Sequence, residues 1–351
     1  MTATARILAA GAGLTIAALA LSGCASNSAN ADLHGNDNTA SATPVDVSGT
    51  LTIYTSEPQD KATQIIAAFN QEYPNVTVSL FRGGTGDVTA RIAAEQKAGG
   101  VKADIVWAAD AGTFNGFEKQ GLLQKYRPAN ASALDKSYID PNGYYVGTRI
   151  IPTVIAYNTT KIKTPPKSWA DLADPKYKDK ITLPDPAVSG AAAYNAAAWY
   201  GVDSLGTSWF SALGANKAVV AASNGPVSQA VASGAQPIGI VVDYLVRDLQ
   251  KAGSPVAVAY PSEGVPYIDE PMGVFKDSTN KAAAEAFENF IVSKAGQKLA
   301  VQQDYLPVRT DVGAPAGAPS LSHLKTLAPS QATIDANEPK AVSAFKAAVG
   351  G

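Results

Sequence analysis

Apolar positions alternate with polar ones over Leu51–Thr55 (LTIYT) and again over Val76–Phe81 (VTVSLF). Between them, Ile65, Ile66 and Phe69 recur at helical spacing in KATQIIAAFNQEYP. The pattern predicts a strand, a helix and a second strand. DVTARIAAEQKAGG then reads as a helix closed by glycines, and Ala103–Asp110 (ADIVWAAD) as a third strand. Strand–helix–strand order with short connections implies a mostly parallel sheet covered by helices, an α/β fold.

The pattern changes at Gly143–Asn158 (GYYVGTRIIPTVIAYN), a long β-rich stretch interrupted by Pro152. KITLPD and PIGIVVDYL follow as strands of a second α/β unit, with helices near Ala191–Tyr200 and Pro226–Ser233. A further β-rich piece, Pro266–Phe275 (PYIDEPMGVF), precedes TNKAAAEAFENFIVSKAGQKLAVQQDY, where helical spacing returns. Two β-rich segments flanking a middle α/β unit place two crossings between two lobes. The expected division is 50–152 for the first part of lobe 1, 153–268 for lobe 2, and 269–351 for the lobe 1 return with C-terminal helices. Ligands of open α/β sheets bind at the carboxyl ends of strands, so the strand-to-helix loops of both lobes should face the cleft between them.

The start of the chain has its own pattern. One cation, Arg6, precedes an apolar run from Ile7 to Leu21 and then Leu21-Ser22-Gly23-Cys24. That run falls short of the roughly 20 apolar residues of a comfortable membrane span, and it has the layout of a secretory signal peptide over residues 1–23. The Leu-Ser-Gly-Cys ending resembles the lipobox of bacterial lipoproteins, which implies lipidation of Cys24, the only cysteine of the chain. Residues 24–49, rich in Ser, Asn, Ala and Asp, read as a flexible stalk. The expectation is an exported protein, lipid-anchored at the outer face of the bacterial cytoplasmic membrane and otherwise soluble.

Composition narrows the chemistry. The 351 residues are 46% hydrophobic and 17% charged with a net charge of −2, material for roughly two domains and no basic excess for nucleic acid. There are two histidines, His34 in the stalk and His323 near the end. No Ser-His-Asp or Cys-His constellation and no His/Cys metal site can be proposed in the core, so neither catalytic residues nor a cofactor are expected. The Gly-rich GGTGDV lacks the ending of a P-loop.

Three loops remain, each at a predicted helix start. VSGAAAY offers the Ser189 hydroxyl, close backbone approach at Gly190 and the Ala191 amide. GGTGDV places Thr85 and Gly86 before a helix, and SNGPVSQAV puts Asn224 at a predicted N-cap. Unpaired amides and the helix dipole favour anions there; ordinary capping is the simpler role for each loop. Acidic and aromatic groups sit at matching strand ends: Tyr54, Ser56, Glu57, Asp110, Asp243 and Tyr244, with Tyr267, Asp269 and Glu270 in the return crossing. Carboxylates at such places are either solvated or suited to an ammonium or metal cation.

Ser168–Ala192 (SWADLADPKYKDKITLPDPAVSGAA) resembles the Trp-x-Asp-Leu…Asp-Pro-x-Tyr-Lys-x-Lys-Ile…Pro…Ser-Gly pattern of ABC-transporter solute-binding proteins, and most closely that of the ferric-ion-binding branch. LTIYTSEPQD, ADIVWAADAGTF, KQGLL, VIAYN and QDYLPVR occur in the same order, so the resemblance covers nearly all of 51–309. It implies a type II periplasmic-binding fold, two α/β lobes joined by two crossing strands that close on a solute, and an ABC permease as partner. The metal site departs from the ferric pattern. Adjacent tyrosines are replaced by Asp243-Tyr244-Leu245, and the histidine-bearing loop reads Ser56-Glu57-Pro58. The anion-binding Ser-Gly-Ala turn is kept in Ser189, Gly190 and Ala191, with Asn224 as partner.

The expectation is therefore a monomeric receptor for a small phosphate- or phosphonate-bearing solute, such as a sugar phosphate or 2-aminoethylphosphonate. Its other end would meet Glu57, Asp110, Asp243 or Glu270. The alternative cargo is ferric ion with a synergistic anion, held by Tyr244, Asp243 and Glu57. A surface phosphate-ester hydrolase and a purely structural surface protein are the readings from other classes.

Overall fold

The computed structural model describes residues 46–350. The expected signal peptide, Cys24 and the stalk as far as residue 45 lie outside the described residues. The first lobe opens with β1 (Gly49–Thr55), α1 (Gln59–Glu72), β2 (Val76–Arg82), α2 (Thr85–Lys97), β3 (Ile105–Trp107), α3 (Ala111–Lys119) and β4 (Val146–Gly147). The middle of the chain forms β5 (Ile151–Asn158), β6 (Ile181–Pro184), α4 (Gly190–Tyr200), α5 (Gly206–Ala215), β7 (Val219–Ala221), α6 (Asn224–Ser233), β8 (Ile238–Val242), α7 (Asp243–Lys251) and β9 (Val256–Ala259). The chain ends with β10 (Tyr267–Ile268), β11 (Pro271–Val274), α8 (Lys281–Ile291), α9 (Lys294–Gln302) and α10 (Gln331–Ala348).

Two mixed sheets result. The first runs β2-β1-β3-β11-β4, and the second β10-β5-β8-β6-β7 with β9 also on β5. Parallel pairing holds for β1 with β2 and β3, and for β6 with β7 and β8. The returning strand β11 and the crossing strand β5 pair antiparallel with their neighbours β3 and β8. The chain changes sheets between Gly147 and Ile151 and changes back between Ile268 and Pro271. Pro152 does not break β5: it sits near the start of the strand, opposite Tyr267 of the two-residue β10, where one missing N–H costs little.

Each sheet has its own apolar core. In the first lobe, α8 presents Phe287 and Phe290 edge-on to Phe69 of α1, at ring-centroid distances of 5.0 and 5.7 Å. In the second, Trp199 of α4 lies 4.9 Å from Trp169 and 5.2 Å from Trp209 of α5, all three buried. Each such burial stabilises the lobe by about 1.5–3 kcal/mol. Helix α4 is alanine-rich because it is enclosed almost all round, so small residues admit close neighbours.

Two expectations are corrected at their ends. The segment 269–351 does not stay with the first lobe, because Ile334, Ala341 and Phe345 of α10 join the core of the second, where Phe345 meets Phe210 at 5.7 Å. The last residues of the expected stalk are also part of the fold: Val47 packs on the first core, and Asn280 Nδ2 donates to the Ser48 carbonyl at 2.9 Å.

Candidate functional site

Between the lobes lies a cavity of roughly 350 Å³, walled by strand-to-helix loops from both. Lobe 1 contributes Ser56 after β1, Arg82 at the end of β2 and the start of α2 at Gly84 and Thr85. Lobe 2 contributes the starts of α4 (Ser189, Gly190, Ala191) and α6 (Ser223, Asn224, Gly225). Three helix N-termini thus open on one space, where first-turn amides lack carbonyl partners in their own helices. Pro226 of α6 has no N–H, and the Ala192 and Gly86 amides are taken by Ser189 and Val188, which leaves those of Thr85, Gly190, Ala191, Asn224 and Gly225.

Side chains tie these ends together. Ser189 caps α4, its Oγ accepting from the Ala192 amide at 3.3 Å. The same oxygen accepts from Asn224 Nδ2 at 3.2 Å, while Asn224 Oδ1 accepts from the Val242 amide at 3.3 Å. Helix α6 begins at Asn224 itself, with Ser223 before it, one residue earlier than the expected cap. Asn224 is thereby fixed against β8 and α4 and presents a polar edge to the cavity.

Glu270, which lines the cavity, belongs to a buried ion cluster. Arg149, 2% exposed, lies between the rings of Trp107 and Tyr305 at 4.3 and 4.4 Å. Its Nη1 donates to Glu57 Oε1 at 3.0 Å, and its Nε lies 2.8 Å from Glu270 Oε2, a close ion pair without hydrogen-bond alignment. Tyr305 donates to Glu57 Oε1 at 2.9 Å. Burial pushes Glu270 up to about 8, against the pull of Arg149 and assisted by the charge of Glu57. Glu270 is the carboxylate among the cavity-lining residues, and Tyr244 lines the same wall with its ring 4.3 Å from Tyr305.

The residues singled out by sequence therefore divide. Ser56, Thr85, Ser189, Gly190, Ala191, Asn224, Tyr244 and Glu270 meet at the cavity. Tyr54 turns away to donate to Glu95 at 2.7 Å, and burial pushes its phenol up to about 12. Glu57 is enclosed with Arg149 and Tyr305. Gly86 spends its amide on the Val188 carbonyl at 3.2 Å. Asp110, at φ 73°, caps α3 through the Thr113 amide at 2.8 Å. Asp243 pairs with Arg247 one helical turn on, at 2.7 Å.

Of the alternative ferric donor set, Tyr244 lines the cavity, while Asp243 and Glu57 are turned to Arg247 and Arg149. Among the described residues no group of three or more His, Cys, Asp and Glu side chains comes together as a metal site. Sequence reasoning missed Arg82 and Arg149. Arg82 had a usable signal, since it ends β2 at the carboxyl edge of the sheet; Arg149 had none, because its importance comes from partners in distant segments.

The profile of the bacterial extracellular solute-binding proteins matches residues 101–334. The chain belongs to that family. Among curated relatives of this solute-binding protein, one from Salmonella typhimurium, named "Putative 2-aminoethylphosphonate-binding periplasmic protein", is 27% identical over 266 residues, 71% of this chain and 73% of its own. Among solved structures, the periplasmic binding protein AfuA of Actinobacillus pleuropneumoniae, with exogenous fructose-6-phosphate bound, superposes with a TM-score of 0.78 at 24% identity, covering 86% of this chain and 98% of its own. Iron-bound HitA of Pseudomonas aeruginosa gives 0.74 at 24% identity, covering 85% and 99%. The fold of this solute-binding protein is the two-lobed type II periplasmic-binding fold.

Proposed function

We propose that this protein is the receptor of an ABC importer for a small solute bearing a phosphate or phosphonate group. On this reading it is exported, held at the membrane through lipidated Cys24, and delivers its solute to a permease. The observation that carries the proposal is the meeting of three helix N-termini, with Arg82 beside them, around one cavity. Oxyanions suit such amides, and the partial positive charge of each helix end adds to the attraction. Glu270 and Tyr244 stand on the cavity wall to receive hydroxyls or an amine at the other end of the solute. An ammonium group there would draw Glu270 back to its charged form. The names of the relatives point the same way for phosphonate and sugar phosphate.

The energetics require both lobes. Micromolar binding needs about 8 kcal/mol, and hydrogen bonds to a charged group contribute about 1.5–3 kcal/mol each. Four or five are needed once ordering costs are met, more than one helix end supplies. Closure over the solute brings the donors of the two lobes together and creates the state a permease can distinguish.

Calorimetric titration with 2-aminoethylphosphonate, fructose-6-phosphate and ferric citrate tests the proposal. At least one of the two organophosphorus solutes should bind, and Ser189→Ala combined with Asn224→Ala should weaken it by about a hundredfold, two charge-assisted bonds being removed. The double variant should still fold, since a lost cap costs about 1 kcal/mol. Tight binding of ferric ion with the red colour of a tyrosinate complex, and none of either organophosphorus solute, would overturn it.

A further inference from the structure

A second cavity of roughly 290 Å³ lies between the lobes and shares Ile268 with the first, but none of its anion-facing residues. Gly190 of α4 sits against Asp110 before α3, where a Cβ would come within 2.7 Å of Asp110 Oδ2. The next residue on one side, Ala111, and the next turn of α4, at Tyr194, face this second space. Its walls are Tyr138 and Tyr145 of lobe 1, Tyr194 of α4, Tyr267 and Asp269 of the return crossing, and Gln331 at the start of α10.

The chemistry is the reverse of the first cavity. Among the described residues, no lysine or arginine lines it. Tyr194, on the cavity wall, is 8% exposed, and its hydroxyl has no hydrogen-bond partner among the described residues. The Asp269 carboxylate borders the cavity with no ion-pair partner among the described residues, and burial pushes its pKa up to about 6, still charged at neutral pH. Burial raises all four phenols, and neighbouring acids, Asp269 among them, raise them further, which keeps the rings neutral. A divalent metal is a poor fit: Asp140 is the second carboxylate on the wall, and its Oδ2 accepts from the Tyr144 amide at 2.8 Å.

We propose that this cavity is a second binding site, for a small organic ammonium cation, with the tyrosine rings supplying cation–π faces and Asp269 the counter-charge. Aromatic faces attract a desolvated cation most strongly when it carries alkyl groups in place of hydrogen-bonded water. The site does not depend on the identity of the solute in the first cavity.

Ligand-observed NMR of the full chain with tetramethylammonium chloride, and with tert-butanol as the neutral near-isostere, tests the site. Saturable binding of tetramethylammonium is expected, with tert-butanol at least about tenfold weaker because it lacks the charge that the rings and Asp269 recognise. Asp269→Asn should weaken tetramethylammonium by about tenfold or more, as should Gln331→Arg, which places a cation at the rim and disturbs no core. Gln331→Arg should leave the binding of the organophosphorus solute in the first cavity unchanged; Asp269→Asn, whose lost charge also acts on Glu270, is read through tetramethylammonium alone. Absence of saturation, equal affinity for tert-butanol, or tetramethylammonium binding that survives both variants overturns the proposal. Loss of tetramethylammonium binding in the Ser189→Ala, Asn224→Ala double variant, with both second-cavity variants unaffected, also overturns it by placing the cation in the first cavity.

Discussion

Arg149 shows how one side chain sets the behaviour of others. It neutralises at most one charge, yet Glu57 and Glu270 both lie against it, at 3.0 and 2.8 Å. Burial and the second carboxylate leave Glu270 raised to about 8 from an ordinary 4.5. Between those values the folded protein holds a proton that the unfolded chain has released, so stability falls as pH rises from about 4.5 to about 8. The loss attributable to this cluster is on the order of a few kcal/mol. Glu270→Gln keeps the shape and removes the ionisation, so urea unfolding of the solute-free protein should show a flatter decline from pH 5 to pH 8. Asp110 and Glu288, also raised by burial, sustain a residual slope. An unchanged slope in the variant would remove Glu270 from this role. At this scale the sequence was partly readable. Ser189, Gly190, Ala191 and Asn224 announced themselves as polar or small residues at helix starts. Glu57 and Asp243 look the same in sequence as Glu270, and only the folded chain separates them: Arg149, 92 residues from Glu57, holds both glutamates, yet of the three carboxylates Glu270 lines the cavity.

Among elements, the contact between α2 and the loop before α4 closes the cleft. The Gly86 amide donates to the Val188 carbonyl across the lobes, and a Cβ on Gly86 would clash with the Ala187 carbonyl oxygen. Glycine is needed there because two backbones touch. Gly86→Ala should therefore leave each lobe folded, while the closed state gains a clash that opening relieves. Solute affinity should fall by about tenfold or more, since binding then has to be sustained from a less populated closed state. Small-angle scattering should show a larger radius with solute than wild type. Unchanged affinity and radius would mean that this seam does not govern closure. The periodic elements were legible for a physical reason: β2, α1, α2 and α8 each expose one face and bury the other. α7 was hidden because β8 runs straight into it, so PIGIVVDYL looks like one strand. The pair Asp243–Arg247, spaced one turn apart, was the available sign of a helix. Helix α10 was hidden by Pro339 in its interior, a residue that normally ends a helix.

For the whole molecule, α10 matters because it belongs to neither of the two crossings that the sequence pattern revealed. It leaves the first lobe and fills the core of the second with Ile334, Ala341 and Phe345. Its first turn lies near α3 of lobe 1, where a Cβ on Gly112 would sit 3.3 Å from Asp335 Oδ1. Phe345 is 2% exposed against Phe210, and Phe345→Ala should cost about 3–5 kcal/mol of stability. Fourteen residues of helix separate Phe345 from Gln331, roughly 21 Å at 1.5 Å per residue, and Phe345 lines neither interlobe cavity. A solute bound between the lobes should then stabilise wild type and variant by the same increment, about 2.7 kcal/mol at a hundredfold excess over Kd, because distant sites without shared partners add. Denaturant unfolding of both proteins, with and without the organophosphorus solute, measures the two increments. If the variant loses the solute's contribution, the core of the second lobe and the cleft are coupled, and α10 acts on binding as well as on folding.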